Sequence, residues 1–401
     1  MKKRFLLLSD IHASSEDPSA WNAPSYVSSV SAAGAGGIEP IGDLLRLMSE
    51  QCISPDFVLC AGDITNRAQP GSLTYAWGRL HDLADKLNAK LVATVGNHDL
   101  DSRYKENKFD PKGYAMALKP SLPIDDREKY LEYWAENFTS IQSDDLNVVV
   151  LNTAAYHGQG AEAEKEMEFG RISEITIALL KDRLASLPEA KVNLLLCHHH
   201  PLKGDGGDSD TVGPTRGGEP LVEVLDDSNR PWIIVHGHKH VPDLFYGHGS
   251  GNAPVVMACA SFSAQVNVDA QNKNPNQVHL LTCDPDAASS NGMVSAGSVQ
   301  SWTWLPGVGW RPAQDQHGLP YSAGFGFRGD TKALVRSVDE HLRTTNKQRI
   351  EWAEATSTIS ALRHLPPKDF KRFQAQLQSA GLTILSDRDG QPAELGRLPS
   401  A

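Results

Sequence analysis

Side chains that bind metal ions recur in five short motifs within the first 240 residues. The donors are carboxylate, amide and imidazole groups, and no thiolate stands among them. Such mixed donors suit first-row cations, namely manganese, iron, zinc or nickel. At least seven donors are present, too many for one tetrahedral ion, so we predict two cations about 3.5–4 Å apart, bridged by one carboxylate. The motifs are Asp10-Ile11-His12, Gly62-Asp63, Gly96-Asn97-His98-Asp99, His198-His199-His200-Pro201 and Gly237-His238-Lys239-His240.

The spacing inside two of these motifs places their donors on one side of the chain. His238 and His240 stand two residues apart, and side chains at that spacing share one face of an extended segment. Asp10 and His12 repeat the spacing. The preceding Gly237 lets the backbone turn tightly. The joint occurrence of all five motifs therefore predicts one shared metal centre.

Each motif follows a short apolar run that is typical of a buried strand. Segments with the apolar spacing of a helix lie between these runs, at 41–52, 74–87 and 174–187. This alternation favours an α/β fold whose site lies at the carboxyl ends of its strands. The predicted strands before the motifs are 5–8, 57–60, 91–95, 192–197 and 232–235.

The segments between and after the motifs predict further structure. A long loop is expected over 13–37, and a polar, aromatic-rich insertion with one or two helices over 101–145. Short strands over 241–312 are predicted to form hairpins that complete a second sheet. A domain spanning 1–312 and a linker over 313–330 follow from this division.

The C-terminal region, 331–401, is predicted to be mostly helical, and no motif in it indicates a role. Its stretch 332–372 holds nine Lys or Arg and five Asp or Glu, a net charge of +4. A solvated helical face is the favoured explanation of this charge, and the nucleic-acid contact of a nuclease is the alternative. The region is a candidate for binding a protein partner or a second copy of the chain.

The whole chain of 401 residues is acidic, with a net charge of −11. This charge argues against a standing attraction to nucleic acid or to an anionic membrane, although a bound cation can reverse it locally. The five cysteines are widely spaced and form no CxxC pair, which argues against disulfides and a thiolate metal site. The apolar run at 5–8 is too short for a signal peptide, so a cytoplasmic protein without a membrane segment is expected.

The five motifs together resemble those of the calcineurin-like metallophosphoesterase superfamily, over roughly residues 1–310. The surrounding segments are most similar to its cyclic-nucleotide-phosphodiesterase-like, or class III, branch. They are AGDITNRAQPGSLTYAWGRLHDLADKL before VATVGNHD, and FGRISEITIALLKDRLASL before VNLLLCHHHPL. The resemblance implies a four-layer α/β/β/α sandwich of two mixed sheets, with a binuclear metal site at strand ends and a C-terminal helical appendage.

The resemblance also implies a role for each site residue. His98 would be the catalytic histidine and Asp99 the carboxylate that orients it, with manganese and iron as the favoured ions. A one-residue slip would place His198 at the second metal in place of its neighbour. The implied ligands are Asp10, His12, Asp63 and His240 for one metal, and Asp63, Asn97, His199 and His238 for the second, with Asp63 bridging.

The implied activity is hydrolysis of a phosphoester. Two cations lower the pKa of a shared water, and the resulting hydroxide attacks phosphorus in line while His98 assists the leaving oxygen. Lys239, Arg67 and Arg103 offer no clear second cation for a monoester, so a diester of a nucleotide-like molecule is favoured. A metal-dependent nuclease and a phosphomonoesterase or protein phosphatase are the alternatives.

Overall fold

Two large mixed β-sheets form the centre of the molecule, and a separate three-stranded sheet lies near the C-terminus. They are seen in a computed structural model, which describes residues 1–31, 39–158, 168–204, 213–265, 275–314, 318–388 and 390–398. Parts of the predicted loop (13–37), hairpins (241–312), linker (313–330) and C-terminal region (331–401) lie outside the described residues.

Sixteen strands are seen in the described residues. They are β1 (Lys3–Leu8), β2 (Phe57–Cys60), β3 (Lys90–Ala93), β4 (Phe138–Ser143), β5 (Leu146–Leu151), β6 (Val192–Leu196), β7 (Trp232–His236), β8 (Asp243–Tyr246), β9 (Val255–Ala258), β10 (Gln277–Cys283), β11 (Gly297–Leu305), β12 (Gly309–Pro312), β13 (Ser322–Phe325), β14 (Arg349–Glu351), β15 (Leu382–Ser386) and β16 (Pro392–Arg397).

The helices connect these strands and cover the outer faces of the sheets. They are α1 (Pro40–Glu50), α2 (Pro70–Lys86), α3 (Gly113–Met116), α4 (Arg127–Glu136), α5 (Glu174–Ser186), α6 (Gly218–Asp227), α7 (Pro285–Ser290), α8 (Thr331–Thr344), α9 (Trp352–Thr358) and α10 (Pro367–Ser379). A 3₁₀ turn covers Ser360–His364. Within the described parts of the chain, no helix is long and apolar enough to cross a bilayer.

Parallel strands supply the strand ends that carry the motifs. In the first sheet, β1, β2 and β3 run parallel, and β10 pairs antiparallel with β1 on the other side. In the second sheet, β5, β6, β7 and β9 run parallel, with β4 and β8 as antiparallel edges. Because parallel strands end on the same edge of a sheet, the polar residues that follow them are brought together.

The second sheet buries both of its faces, and alternate residues belong to different cores. Val148 and Leu194 pack in the core shared with the first sheet, which also contains apolar residues of α1 and α2. Val149 and Leu195 point the other way and pack with Leu180 of α5 and residues of α6. The order is therefore helix, sheet, sheet, helix, as the resemblance implied, and burial on both faces explains the continuous apolar runs.

The strands after residue 240 divide between the two sheets, whereas the sequence placed them all in the second. β8 and β9 join the sheet that contains β7, and β10, β11 and β12 join the sheet that begins with β1. The segment expected to be a linker, 313–330, contributes β13, which pairs with β11 from Gly297↔Phe325 to Gln300↔Ser322. The sheet that each strand joins depends on pairing between strands that are far apart in the sequence.

The C-terminal unit has its own core, built from α8, α9, α10 and a small sheet ordered β14-β16-β15. Phe373 and Leu377 of α10 are fully buried there together with Val338 of α8. The helices were expected, but the three-stranded sheet was not. Its strands are three to six residues long, and buried and exposed side chains alternate only partly along them. The sequence therefore shows little of the two-residue periodicity that predicts a strand.

Candidate metal centre

The five motifs meet at one edge of the two central sheets. The amide of Asp10 donates to the carbonyl of Gly62 at 3.0 Å, and the amide of His12 donates to that of Asp63 at 2.9 Å. The amide of Gly237 donates to the carbonyl of His198 at 3.0 Å. These backbone bonds tie the segments after β1, β2, β6 and β7 to one another, so the side chains they carry face a common space.

Five of the predicted ligands have a left-handed backbone, which is uncommon for residues other than glycine. Such a conformation costs about 1–3 kcal/mol per residue and persists where the surrounding structure enforces it, often at functional sites. The strand ends thus hold these side chains in positions that a relaxed backbone would not supply. The residues are Asp10 (φ 51°), His12 (50°), Asp63 (52°), His238 (76°) and His240 (57°).

Two glycines permit the close approach of these segments. A Cβ on Gly96 would lie 2.5 Å from the amide nitrogen of Asp63 and would also strike its carboxylate. A Cβ on Gly237 would lie 2.5 Å from Oδ2 of Asp10 and would also collide with the hydroxyl of Ser9. Any other residue at either position would push a predicted ligand out of place.

The first group of donors surrounds Asp10. Its Oδ1 lies 3.2 Å from Nε2 of His240 and 3.8 Å from Nε2 of His12. The two imidazole nitrogens are themselves 3.1 Å apart. Nε2 of His12 also lies 3.6 Å from Oδ2 of Asp63. This group therefore assembles the four residues predicted for one metal.

The second group of donors surrounds Asn97. Its Oδ1 lies 3.0 Å from Nε2 of His198 and 3.1 Å from Nδ1 of His238. Nε2 of His198 is also 3.4 Å from Oδ2 of Asp63, and its Nδ1 pairs with the carbonyl of Ala61 at 2.7 Å. A backbone carbonyl on one ring nitrogen directs the other towards a metal in many metalloproteins.

The resemblance favoured His199 as a ligand of the second metal, but its hydrogen bonds differ from those of His198. Its Nδ1 pairs with the hydroxyl of Thr153 at 2.8 Å, and its amide donates to the same hydroxyl at 3.0 Å. Its Nε2 is buried, and it has no hydrogen-bond partner among the described residues. His199 still belongs to a group with His198 and His238 whose donor atoms lie within 4.8 Å of one another. The motif of three consecutive histidines did not predict that His199 would contact Thr153.

The charges in the centre fit a cation. Burial favours the neutral form of Asp63, but His198 and His98 nearby hold the pKa of this carboxyl well below its usual range. His240 similarly outweighs burial at Asp10 and lowers its pKa to about 2. Two buried carboxylates thus stay ionised only beside positive charge. Histidine charges supply it in the described residues, and bound metal cations would supply it in their place.

Two histidines are ready to bind as neutral ligands. Burial lowers the pKa of His12 to about 3 and the pKa of His238 to about 3, so both rings keep a free lone pair at neutral pH. A metal binds imidazole only in this neutral form. The donor chemistry and the geometry therefore fit two metal ions, and the overlapping donor groups share Asp63.

His98 lies beside the first group, and among the described residues no hydrogen bond joins its ring to the carboxylate of Asp99. The amide of His98 donates to Oδ1 of Asp63 at 2.7 Å, while its Nδ1 has no partner among the described residues. The two oxygens of Asp99 accept from the amides of Thr65 at 2.9 Å and Gly96 at 2.8 Å. Asp99 thus joins two motif-bearing loops through their backbones.

His157 was not singled out from the sequence, and it lies near the same centre. It stands in the turn after β5, only 1% exposed, and its Nδ1 has no hydrogen-bond partner among the described residues. Burial lowers the pKa of His157 to about 4, and its charge interacts with those of Asp63 and His98. A single histidine outside any motif offers no spacing signal that would have found it.

Comparison with protein families gives two matches along the chain. The model of the calcineurin-like phosphoesterase family matches residues 3–242, which include all five motifs. A second model, described as a winged helix-turn-helix associated with calcineurin-like proteins, matches residues 323–379.

Individual relatives are distant. A cAMP/cGMP dual-specificity phosphodiesterase of Mycobacterium tuberculosis (strain CDC 1551 / Oshkosh) is 23% identical over 165 residues, which are 40% of this chain and 42% of that protein. The structure of PhoD is similar at a TM-score of 0.42 and 11% identity, covering 80% of this chain and 73% of that one. NAD nucleotidase of Haemophilus influenzae has a TM-score of 0.39 and 13% identity, covering 95% and 67%.

Proposed function

The chain belongs to the calcineurin-like phosphoesterase family, whose model matches more than half of it, and from this membership we propose that it is a binuclear-metal phosphodiesterase acting on a nucleotide-like small molecule. The family supports the coarser activity, metal-dependent hydrolysis of a phosphoester. The proposal adds that the cleaved bond belongs to a phosphodiester, and it names the residues that bind the metals and assist the reaction. The chain matches less than half of the curated phosphodiesterase, so the substrate rests on this proposal alone.

The position of Asp63 carries the proposal. Oδ2 of its carboxylate lies 3.6 Å from His12 of the first donor group and 3.4 Å from His198 of the second. A carboxylate between two donor groups suits a bridge between two cations. We assign Asp10, His12 and His240 to one ion, Asn97, His198 and His238 to the other, and Asp63 to both. His198 takes this place because its Nε2 lies against both Asn97 and Asp63, and His199 supports the site through Thr153.

Two bound cations would supply an activated water and offset the charge of the phosphoryl group. In this proposal the leaving oxygen of the substrate would lie near His98, whose ring meets the ring of His12 edge-to-face with centroids 4.6 Å apart. The imidazole of His98 is partly exposed and would act as the proton donor to that oxygen. Asp99 fixes the loop of His98 by accepting from the amides of Gly96 and Thr65.

Among the described residues no Lys or Arg is buried, and this supports a diester over a monoester. A monoester carries up to two negative charges on its phosphate, and a pocket for it gains from an Arg or Lys on the third oxygen. Arg67 and Arg103, the nearest arginines in sequence, are both exposed. The printed description of the mycobacterial relative, a cyclic-nucleotide phosphodiesterase, agrees with a nucleotide diester.

The test loads the protein with Mn²⁺ and compares kcat/KM for bis(p-nitrophenyl) phosphate and p-nitrophenyl phosphate. We expect two metals per chain by elemental analysis and a preference for the diester after correction for intrinsic reactivity. Asp63→Asn should lose at least one metal and nearly all turnover, whereas the exposed Asp145→Asn should lose neither. An active Asp63→Asn protein with two metals would overturn the centre, and a preference for the monoester would overturn the substrate class.

A further inference from the structure

The loop that follows the Gly-Asn-His-Asp motif is compact and is held from inside by one carboxylate. The amide of Asp101 donates to the carbonyl of Pro111 at 2.9 Å, and this bond closes the two ends of the loop. The buried carboxylate of Asp101 accepts from the amides of Glu106 at 2.7 Å and Asn107 at 2.8 Å. We call residues 101–111 the rim loop. Because hydrogen bonds fix its backbone, the side chains that it presents have defined positions.

The rim loop packs against the turn that carries His157. A Cβ on Gly158 would lie 2.5 Å from Cα of Ser102, so the two backbones are in close contact. The hydroxyl of Tyr104 donates to the carbonyl of Gly158 at 3.3 Å. His157 is buried beside the metal centre, where its charge interacts with that of His98. The rim loop therefore borders the metal centre on the side of His98.

Tyr104 presents an aromatic ring that the described residues leave partly uncovered. The residue is 39% exposed, and among the described residues its ring contacts neither another aromatic ring nor a cation. Its backbone is left-handed, at φ 49°, a conformation that is uncommon for residues other than glycine and that is often found at functional sites. The amide of Tyr104 donates to the carbonyl of Asp101 at 2.9 Å. The ring is thus held through both its backbone and its hydroxyl, while part of its face stays open to a ligand.

A second tyrosine next to the rim loop differs from Tyr104 in its contacts. Tyr114 of α3 is 38% exposed, and its hydroxyl donates to the carbonyl of Glu106 at 3.1 Å. Its hydrogen bond supports the rim loop and does not reach the turn that contains Gly158. The two tyrosines therefore match in exposure and in the type of hydrogen bond, but only Tyr104 is bonded to the turn beside the metal centre.

We propose that Tyr104 is the surface on which an aromatic base of the substrate stacks, so that the substrate is a nucleoside phosphodiester. This inference rests on the proposed function, because it assigns a subsite to the substrate of the same metal centre. Aromatic side chains bind bases by stacking, and every base has a π face that can take part. A ring that is already held in place loses little conformational entropy when a ligand binds. Tyr104 therefore selects for the presence of a base and not for its identity.

The test compares two ligands that carry the same phosphate and sugar and differ in the base, adenosine monophosphate and ribose 5-phosphate. Calorimetry measures their binding to the full chain loaded with Mn²⁺, and an assay of phosphate release confirms that both ligands stay intact. We expect adenosine monophosphate to bind about tenfold more tightly, because only this ligand can stack. Tyr104→Leu should weaken its binding about tenfold and leave ribose 5-phosphate unchanged, whereas Tyr104→Phe keeps the ring and should retain the preference.

Tyr114→Leu is the matched control, since it removes an equally exposed tyrosine and one hydrogen bond to the rim loop. It should bind both ligands like the wild type. Thermal unfolding shows whether each variant is folded. If Tyr104→Leu unfolds, Tyr104→Asn provides a second measurement, because Asn tolerates the left-handed backbone, and it should show the same loss.

Equal affinity of the wild type for the two ligands would overturn the base subsite, and so would equal losses in Tyr104→Leu and Tyr114→Leu. Turnover of bis(p-nitrophenyl) phosphate separates this inference from the proposed function. An active protein that binds the two ligands equally contradicts only the base subsite. A protein without turnover that still prefers adenosine monophosphate through Tyr104 contradicts only the phosphodiesterase activity.

Discussion

Nε2 of His198 lies 3.0 Å from Oδ1 of Asn97, so these two side chains from different sheets converge on one point. The neighbouring His199 is instead anchored by its Nδ1, 2.8 Å from the hydroxyl of Thr153. The two adjacent histidines therefore have different surroundings, and we expect their substitution to affect metal binding differently.

His198→Ala should lose the second metal, whereas His199→Ala should keep it with affinity weaker by about 10–100-fold, as is usual when a supporting contact is removed. The substitutions remove the same ring at adjacent positions, so each serves as the control for the other. Titration of the metal-free variants with Mn²⁺, followed by calorimetry, gives the stoichiometry. If His199→Ala loses an ion and His198→Ala keeps two, our assignment is reversed.

His98→Ala should bind two metals and lose about 10²–10⁴-fold in kcat, the usual contribution of a general acid. The loss should be greatest for poor leaving groups, because a good leaving group needs no proton. A series of aryl phosphodiesters of rising leaving-group pKa measures this dependence. An equal loss for every member of the series would rule out proton donation by His98.

Gly96→Ala should destabilise the centre, because the added Cβ would meet the backbone and carboxylate of Asp63. Overpacking of this kind costs about 1–3 kcal/mol. We expect a lower midpoint in urea and weaker metal binding. Gly71→Ala is a suitable control, since a Cβ there meets nothing within 4 Å. Equal effects of the two substitutions would show that the close approach at Gly96 is not needed.

His279 should make the protein sensitive to acid. It is a fully buried residue of β10, its Nδ1 pairs with the hydroxyl of Ser301 in β11 at 2.8 Å, and burial lowers its pKa to about 3. The unfolded chain takes up this proton near pH 6.5 while the folded chain does not. The contribution to stability is therefore present above about pH 6.5 and is lost as the pH falls towards about 3, by about 1.4 kcal/mol per pH unit.

His279→Gln removes that proton uptake, so its free energy of unfolding should fall less between pH 6.5 and pH 4.5 than that of the wild type. Urea unfolding of the metal-free proteins measures the difference, and the exposed His248→Gln is the control. Parallel pH profiles for the wild type and His279→Gln would contradict the prediction.

A chain that ends at Asp330 should still hydrolyse bis(p-nitrophenyl) phosphate, with kcat/KM within about threefold of the full chain, a change of less than 1 kcal/mol. Among the described residues, none after this point belongs to a donor group of the metal centre. Stability should fall, because Leu365 accepts from the amide of Gly324 and this contact is removed. A folded, metal-loaded truncation without activity would show that the C-terminal unit completes the site.

Local patterns in the sequence were enough to determine the donor types, the buried strands before each motif and the family. An apolar run of four to six residues predicts a buried strand, and the Asp, Asn or His that follows it predicts a metal ligand at the end of that strand. The resemblance supplied the layered fold. The family resemblance implied Asp63 as the shared carboxylate, and its position between His12 and His198 supports this assignment.

Only the tertiary structure decided which of two adjacent histidines faces Asn97, where the strands after residue 240 pair, and that the C-terminal unit contains a sheet. Each of these depends on contacts between residues far apart in the chain. After β6, His198 and His199 point in different directions because they are adjacent in the chain. The hydrogen bond between the His198 ring and the carbonyl of Ala61, 137 residues away in sequence, fixes the orientation of His198. Such contacts have no periodic trace in the sequence, because they are set by the packing of the two sheets.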